Sequence, residues 1–288
     1  MSSEILKGAP VAAALDEKTM SAAAALKEKG VYPCLAILRV GEKENDLSYE
    51  RNAMKRCDKL GVLVRNVVLS EDVSQETLIA EIEKLNADET VHGVLMLRPL
   101  PASLDEKAAC AALSPKKDVD GITSGSMAKV YSGAGDGFSP CTAQAVMEIL
   151  RHYGVQLSGK RAAVIGRSLV IGRPVSMLLM AENATVAICH TRTVNIAEIA
   201  SQADIVITAA GKAESIGREF FREGQTVIDV GINWSEEKQK LVGDVKFDEA
   251  SEIVRAITPV PGGVGGVTTA VLVSHVVEAA GRFAAPQE

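Results

Sequence analysis

Two rhythms of apolar and polar positions run along this chain. Short unbroken apolar runs bounded by glycine mark buried strands, and longer stretches with apolar residues three or four apart mark helices that bury one face. An amphipathic helix is predicted over 14–29, stopped at Gly30, and a strand over 34–40, closed by Gly41. A helix over 49–60 stops at Gly61, followed by a strand over 62–69, a helix over 76–86 and a strand over 93–97. The interval 114–139 is rich in Lys, Asp, Gly and Ser with little periodicity, and reads as a functional loop. A helix over 142–153 follows, and the pattern then restarts with a strand over 161–166, a helix over 173–182 and strands over 185–189, 205–209 and 226–230. A last helix is predicted over 268–283. Strand and helix in alternation predict an α/β protein with parallel sheets joined by crossover helices. The expected division is a first α/β domain of residues 1–148 with 264–288, and a second α/β domain inserted at 149–263.

Composition narrows this further. The 288 residues suit two modest domains, and 47% apolar with 24% charged residues is the make-up of a globular chain. Aromatic residues are only 3%, so the core must be aliphatic. A net charge of −6 supplies no overall attraction to nucleic acid, and none is expected as a partner. Five cysteines (Cys34, Cys57, Cys110, Cys141, Cys189) are scattered with no CxxC pair, which suits reduced thiols rather than a zinc ribbon or disulfide framework. His92, His152 and His275 have no Cys, Asp or Glu at ligand spacing, so no metal is expected. The stretch 1–7 is polar, unlike a signal peptide. Residues 256–277 carry no charge, but Pro259, Pro261 and four glycines suit a buried loop leading into a helix better than a membrane span. The expectation is a cytoplasmic protein with no membrane partner.

The most informative local chemistry follows the predicted strand at 161–166. Gly166 permits a tight turn, Gly172 close packing where the next helix begins, and Pro174 sits in that helix's first turn, where a missing N–H costs nothing. Free N–H groups of such a turn face an anion, as in pyrophosphate sites. The spacing is not GxGxxG, so an ordinary strand-to-helix turn is the competing reading. At the end of the next strand an NAD enzyme usually places Asp or Glu against the ribose 2′-hydroxyl. Here stand His190, Thr191 and Arg192, with Arg167 and Ser168 in the loop. Cations and a hydroxyl suit a 2′-phosphate, which favours NADP over NAD. The alternative is that Arg192 is a solvated surface cation. His190 lines the cofactor site or makes a structural hydrogen bond.

Three further loops carry a resemblance: Lys117-Asp118-Val119-Asp120-Gly121, Val227 through Asn233 (VIDVGIN), and Thr258 through Gly265 (TPVPGGVG). With Gly166-Arg167-Ser168 through Pro174 and Arg98-Pro99-Leu100-Pro101, the chain resembles the methylenetetrahydrofolate dehydrogenase/cyclohydrolase family from about Gly8 to the C-terminus. The resemblance implies a folate-binding N-terminal domain, a Rossmann-like dinucleotide domain, a cleft between them and a tetrahydrofolate substrate. It implies Tyr49 and Asp120 as catalytic residues. Leu97, Pro99, Pro261, Gly262 and Gly263 join them around the substrate, and Gly166, Arg167, Ser168, Gly172, Pro174, Thr191, Arg192 and Ile232 lie at the cofactor. It also implies a homodimer through the cofactor domains, in which residues 234–247 form an exchanged hairpin arm; an exposed hairpin with no partner is the alternative. Asp120, taken alone, is equally a turn or cap residue.

The chain departs from the family where proton transfer matters. Bifunctional members carry Tyr-x-x-x-Lys, and the lysine position here is Ala53; the family's Gln is here Leu97. Four residues is about one helical turn, which puts Tyr49 and Ala53 on one face. Dehydrogenation needs no protein base, whereas cyclohydrolysis draws about 10²–10⁴-fold from general acid–base help. The expectation is therefore a dehydrogenase with weak or absent cyclohydrolase activity, the alternatives being the bifunctional enzyme and a folate- or nucleotide-binding protein without catalysis. Arg56, on the same helical face, is a poor proton shuttle, Lys55 lies off that face, and Arg98 holds an anionic group or faces the surface. Gly266-Val267-Thr268 stands where the family has Pro-Met-Thr, which loosens that loop.

Overall fold

The computed structural model describes residues 3–284; the first two residues of the polar N-terminal stretch and the last four of the chain lie outside them. In chain order the elements are β1 (Glu4–Ile5), α1 (Gly8–Glu28), β2 (Cys34–Val40), α2 (Glu44–Leu60), β3 (Leu63–Leu69), α3 (Gln75–Ala87), β4 (Gly93–Met96), α4 (Glu106–Ala112), α5 (Ser124–Ser132) and α6 (Cys141–His152). Then come β5 (Arg161–Ile165), α7 (Gly172–Ala181), β6 (Thr185–Cys189), α8 (Ile196–Ser201), β7 (Ile205–Thr208), β8 (Thr226–Asp229), β9 (Asn233–Ser235), β10 (Lys240–Val242), α9 (Phe247–Ser251), β11 (Ala256–Ile257) and α10 (Val264–Ala284). The chain forms two compact units. One comprises Ala14–Cys141 and the chain from Thr269 onward; the other comprises the chain up to Ala13 and Thr142–Thr268.

The first is built on a three-stranded parallel sheet in the order β3-β2-β4. β2 is buried at every residue, as a central strand covered on both faces must be, while β3 at the edge alternates. Ala36, Leu38, Val94 and Met96 pack against Leu78, Ile82 and Leu85 of α3 in one aliphatic cluster. α3 starts at Ser74, whose hydroxyl accepts from the Thr77 N–H. A buried pair, Arg39 Nε to Glu50 Oε2 at 2.8 Å, fastens the end of β2 to α2. Removing one partner of such a pair strands the other charge, at about 3–5 kcal/mol. Glu50 adjoins Tyr49, so this pair also fixes where the Tyr49 turn sits.

The second unit holds a six-stranded, all-parallel sheet in the order β1-β11-β8-β7-β5-β6, plus the antiparallel β9–β10 hairpin. Ala163, Val206, Val227 and Ile257 form the spine of its core. The hairpin spans 233–242, beginning one residue before the predicted 234–247 segment and ending inside it.

Three expectations are corrected. Residues 3–13 group with the six-stranded sheet rather than the first domain, because β1 pairs in parallel with β11. The interval 114–139 contains helix α5, capped by Thr123, whose hydroxyl accepts from the Ser126 N–H. α10 begins at Val264, four residues before the predicted start, with Gly265 and Gly266 inside its first turn. By length and apolar composition α10 is sufficient to cross a membrane, but 67% of its apolar window is buried inside the protein.

Candidate active site

In the first unit the KDVDG loop runs beside β4, with the Val94 N–H donating to the Lys117 carbonyl at 2.7 Å. Its two aspartates have different tasks. Asp118 is fully buried and accepts from the Ile122 N–H (2.9 Å), the Thr123 N–H (2.7 Å) and the Ser126 hydroxyl (2.6 Å). It is the turn residue. Asp120 is half-buried, and among the described residues no backbone N–H is bonded to its carboxylate. Its neighbours are the Cys141 thiol, which also reaches the Val119 carbonyl at 3.2 Å, and Tyr49. Burial, reinforced by the nearby Asp118 carboxylate, pushes Asp120 up to about 6. Burial and then the Asp120 charge push the Tyr49 phenol far above its ordinary value, so Tyr49 keeps its proton and can donate a hydrogen bond. His275 faces the same loop, its Nδ1 donating to the Val119 carbonyl at 2.9 Å, and burial keeps it neutral.

Tyr49 and Ala53 lie one turn apart on α2, and Ala53 is completely buried. Leu97 is also buried, and Pro99 is exposed with its carbonyl accepting from Lys43 Nζ at 2.6 Å. The cations near Ala53 and Leu97 in sequence are engaged or turned outward. Arg56 pairs with Asp16 at 2.6 Å, Arg98 pairs with Glu106 at 3.2 Å, and Lys55 is exposed.

In the second unit Gly166 has φ +131°, and an added Cβ there would lie 2.3 Å from the Ala209 carbonyl oxygen. The turn is thus wedged against the residue that follows β7. Arg167 and Ser168 are exposed, and the Ser168 hydroxyl accepts from the Ile171 N–H at 3.1 Å. Gly172 and Pro174 are buried in the first turn of α7. At the end of β6, Thr191 and Arg192 are exposed. His190 Nδ1 accepts from the Arg192 N–H at 3.2 Å, and the His190 N–H donates to the Thr193 hydroxyl at 2.9 Å. His190 therefore makes the structural hydrogen bond that was one of its two readings.

Pro261, Gly262 and Gly263 belong to this second unit, where the Gly8 N–H donates to the Gly262 carbonyl at 2.8 Å. With Ile232, which is 60% exposed, and Leu241 they line a cavity of about 220 Å³ at the C-terminal ends of β8 and β11. A larger hollow of about 910 Å³ lies at the opposite strand ends, lined by Ser3, Glu4, Glu223 and Arg255. Ligands of open α/β sheets bind beyond the carboxyl ends of the strands, so the smaller cavity is the relevant one. The site set also includes two buried aspartates, Asp229 and Asp244, that sequence reasoning did not single out. Only the mirrored pattern Asp-Val-Gly (229–231) and Gly-Asp-Val (243–245) could have signalled them.

A parallel sheet with a glycine turn, cations and no carboxylate at the end of the following strand, and a separate α/β unit define a class: a two-unit, dinucleotide-linked α/β enzyme. Comparison with known proteins makes this specific. Residues 6–120 match the family model for the tetrahydrofolate dehydrogenase/cyclohydrolase catalytic domain, and residues 140–284 the model for its NAD(P)-binding domain. The chain is 46% identical over 276 residues, 96% of each chain, to a protein of Clostridioides difficile (strain 630) named bifunctional protein FolD. Its fold superposes on the bifunctional FolD methylenetetrahydrofolate dehydrogenase/cyclohydrolase of Campylobacter jejuni with TM-score 0.94 and 37% identity, covering 98% of this chain and 99% of that one. The FolD of Trypanosoma brucei, solved with NADP cofactor and an inhibitor, gives TM-score 0.90 at 35% identity over 98% of both chains. The chain belongs to the tetrahydrofolate dehydrogenase/cyclohydrolase family.

Proposed function

We propose that this chain oxidises 5,10-methylenetetrahydrofolate to 5,10-methenyltetrahydrofolate with NADP. The observation that carries the reading is the Tyr49–Asp120 pair: a phenol beside a carboxylate to which, among the described residues, no backbone N–H is bonded. Asp120 accepts from the ring N–H and amino group of the pterin, and Tyr49 donates to the substrate. Leu97 and Pro99 supply apolar and backbone surface in the first unit, and Pro261, Gly262 and Gly263 line the 220 Å³ cavity of the second.

The residues present fit the dinucleotide. Gly166 lets backbone approach closely, the loop 167–171 is open to solvent, and Arg167, Thr191 and Arg192 suit a 2′-phosphate with no acid to repel it. Gly166, Arg167, Ser168, Gly172 and Pro174 would hold the pyrophosphate, and Ile232 offers apolar surface toward the ring end. NADP, when bound, supplies the hydride acceptor. The folate nitrogens' lone pairs stabilise the cation left behind, so no side chain must take a proton from the reacting carbon. What the chain supplies is positioning and exclusion of water.

For the second family activity, the comparisons favour the bifunctional reading over the expectation of weak cyclohydrolase: relatives 45–46% identical are named bifunctional. One observation favours the narrower reading. Ala53 and Leu97 are buried and apolar, and the cations near them in sequence are paired elsewhere or exposed. A spectrophotometric assay decides both points. Enzyme with methylenetetrahydrofolate and NADP should form reduced cofactor and methenyl product together, faster than with NAD. Enzyme added to methenyltetrahydrofolate alone should then speed its decay over the blank if the protein is bifunctional. On the narrower reading the decay matches the blank, and Ala53→Lys with Leu97→Gln restores it. No cofactor reduction at all would overturn the dehydrogenase reading. The assembly that goes with this function is a homodimer through the cofactor units.

A further inference from the structure

Two aspartates that the chemistry above does not use meet at the carboxyl ends of the large sheet. Asp229 ends β8, and Asp244 follows the β9–β10 hairpin; they are 3% and 0% exposed. Each lies across the other's glycine. A Cβ added at Gly243 would meet Asp229 Oδ2 at 1.9 Å, and one added at Gly231 would meet Asp244 Cγ at 2.4 Å. The Asp244 carboxylate is fully subscribed. Oδ2 accepts from the Ala210 N–H (2.6 Å) and the Gly211 N–H (3.2 Å), and Oδ1 accepts from the Lys212 N–H (3.0 Å) and Asn233 Nδ2 (3.0 Å). Asp229 Oδ1 accepts from the Thr208 hydroxyl (2.9 Å), the Gly231 N–H (3.0 Å) and the Asp244 N–H (3.1 Å). Its Oδ2 accepts from the Val245 N–H (2.9 Å), and its own N–H donates to the Thr258 hydroxyl (2.8 Å). The segments that follow β7, β8 and β10 are thereby tied to one pair of side chains, and Thr258, after β11, holds the Asp229 backbone.

Successive N–H groups such as those of 210–212 form a concavity that binds an anion. Here the anion is supplied from within, by Asp244. The same loop begins at Ala209, whose carbonyl is wedged against Gly166 of the phosphate turn, so a small shift of 210–212 is transmitted to that turn. Asn233, the fourth donor to Asp244, adjoins Ile232, a wall of the 220 Å³ cavity. We propose that Asp244 is a positioning residue of the dinucleotide site, clamping loop 210–212 against the phosphate turn and Asn233 beside the cavity. This deepens the NADP assignment above and rests on it.

The test compares wild type, Asp244→Asn and Asn233→Ala by calorimetric titration with NADP⁺ and by steady-state kinetics. Asp244→Asn swaps one acceptor oxygen for an amide that faces N–H donors; Asn233→Ala deletes a single donor. The expected result for Asp244→Asn is a rise of about tenfold or more in both Kd and KM for NADP, with folate KM within about twofold, given the usual worth of one or two charge-assisted hydrogen bonds. Asn233→Ala should weaken NADP binding about threefold, again without moving folate KM. A merely structural role would lower melting temperature and raise both KM values together, and that result overturns the proposal. So does unchanged NADP binding in a folded Asp244→Asn. If Asp244→Asn does not fold, Asn233→Ala decides alone. A wild type that binds NADP⁺ in calorimetry but oxidises no methylenetetrahydrofolate defeats the reaction assigned above and leaves this inference standing. A wild type that binds no NADP⁺ defeats the inference.

Discussion

Asp120 is held above the ordinary carboxylate range, at about 6, by burial and by the nearby Asp118 carboxylate. The pterin contact proposed above is stronger to the ionised form, which accepts at both oxygens. Folate KM is therefore expected to rise by up to tenfold per pH unit below about pH 6, with kcat moving less; Asp120→Asn should raise KM and flatten that profile. An acid whose folded value is raised binds its proton more tightly in the fold than in the unfolded chain. Stability from Asp120, and from Asp229, which burial also pushes up to about 6, is thus present at low pH and lost as pH rises from about 4 to 6. For half-buried Asp120 the loss is on the order of 2 kcal/mol. Thermal melts of ligand-free protein should show Asp120→Asn gaining on wild type between about pH 4 and 6, the window between the ordinary carboxylate value and the raised one, and levelling off above it. A constant difference across that range would sink the account. Tyr49 and Asp120 were legible as motif residues, but the division of labour in KDVDG was not. Asp118 and Asp120 share neighbours and spacing in the sequence, and only the folded loop shows Asp118 consumed by three donors while Asp120 remains available.

Elements were legible in proportion to how much their own residues decide them. β2, an unbroken apolar run, is placed correctly because burial on both faces admits nothing polar except Arg39, which is paired. β1 is only two residues long and exists through its partner β11, so no local pattern announces it. The starts of α1 and α10 were missed because Gly8, Pro10, Gly265 and Gly266 read as loop residues, although a first helical turn tolerates Pro and open backbone. The phosphate turn gives the sharpest prediction at this scale. Gly166→Ala combines a left-handed φ with a Cβ 2.3 Å from a carbonyl oxygen, so β5 and β7 cannot keep their spacing unless the turn moves. The substitution should cost about 2–3 kcal/mol in urea unfolding and weaken NADP binding well beyond its effect on folate KM. Wild-type NADP affinity in this variant would mean that the turn does not face the cofactor.

At the scale of the whole molecule, the alternation of strand and helix was enough to anticipate two α/β bodies, and the inserted stretch 149–263 falls within the second. The boundaries moved because contacts of β1 and α6, not sequence adjacency, decide membership. Assembly is the property least visible in one chain, yet the second unit carries features that bear on it. β6 is the outer strand of the six-stranded sheet, and Ala187 and Ile188 are exposed along it. Met180 of the neighbouring helix is 52% exposed. On the hairpin, Trp234 and Leu241 face each other across the strands and are 54% and 42% exposed, although aromatic side chains are otherwise scarce in this chain. An unpaired strand edge with apolar neighbours is a surface that stable proteins cover. The homodimer proposed above covers it with a second copy. Light scattering should accordingly give about twice the 30.3 kDa chain mass. Ile188→Lys should shift the protein toward monomer with its circular dichroism intact. Dilution should move the fluorescence of Trp234, the single tryptophan, to longer wavelength as the hairpin is released into water. A wild type that is monomeric at assay concentration, with full dehydrogenase turnover, would show that neither β6 nor the hairpin needs a partner for function.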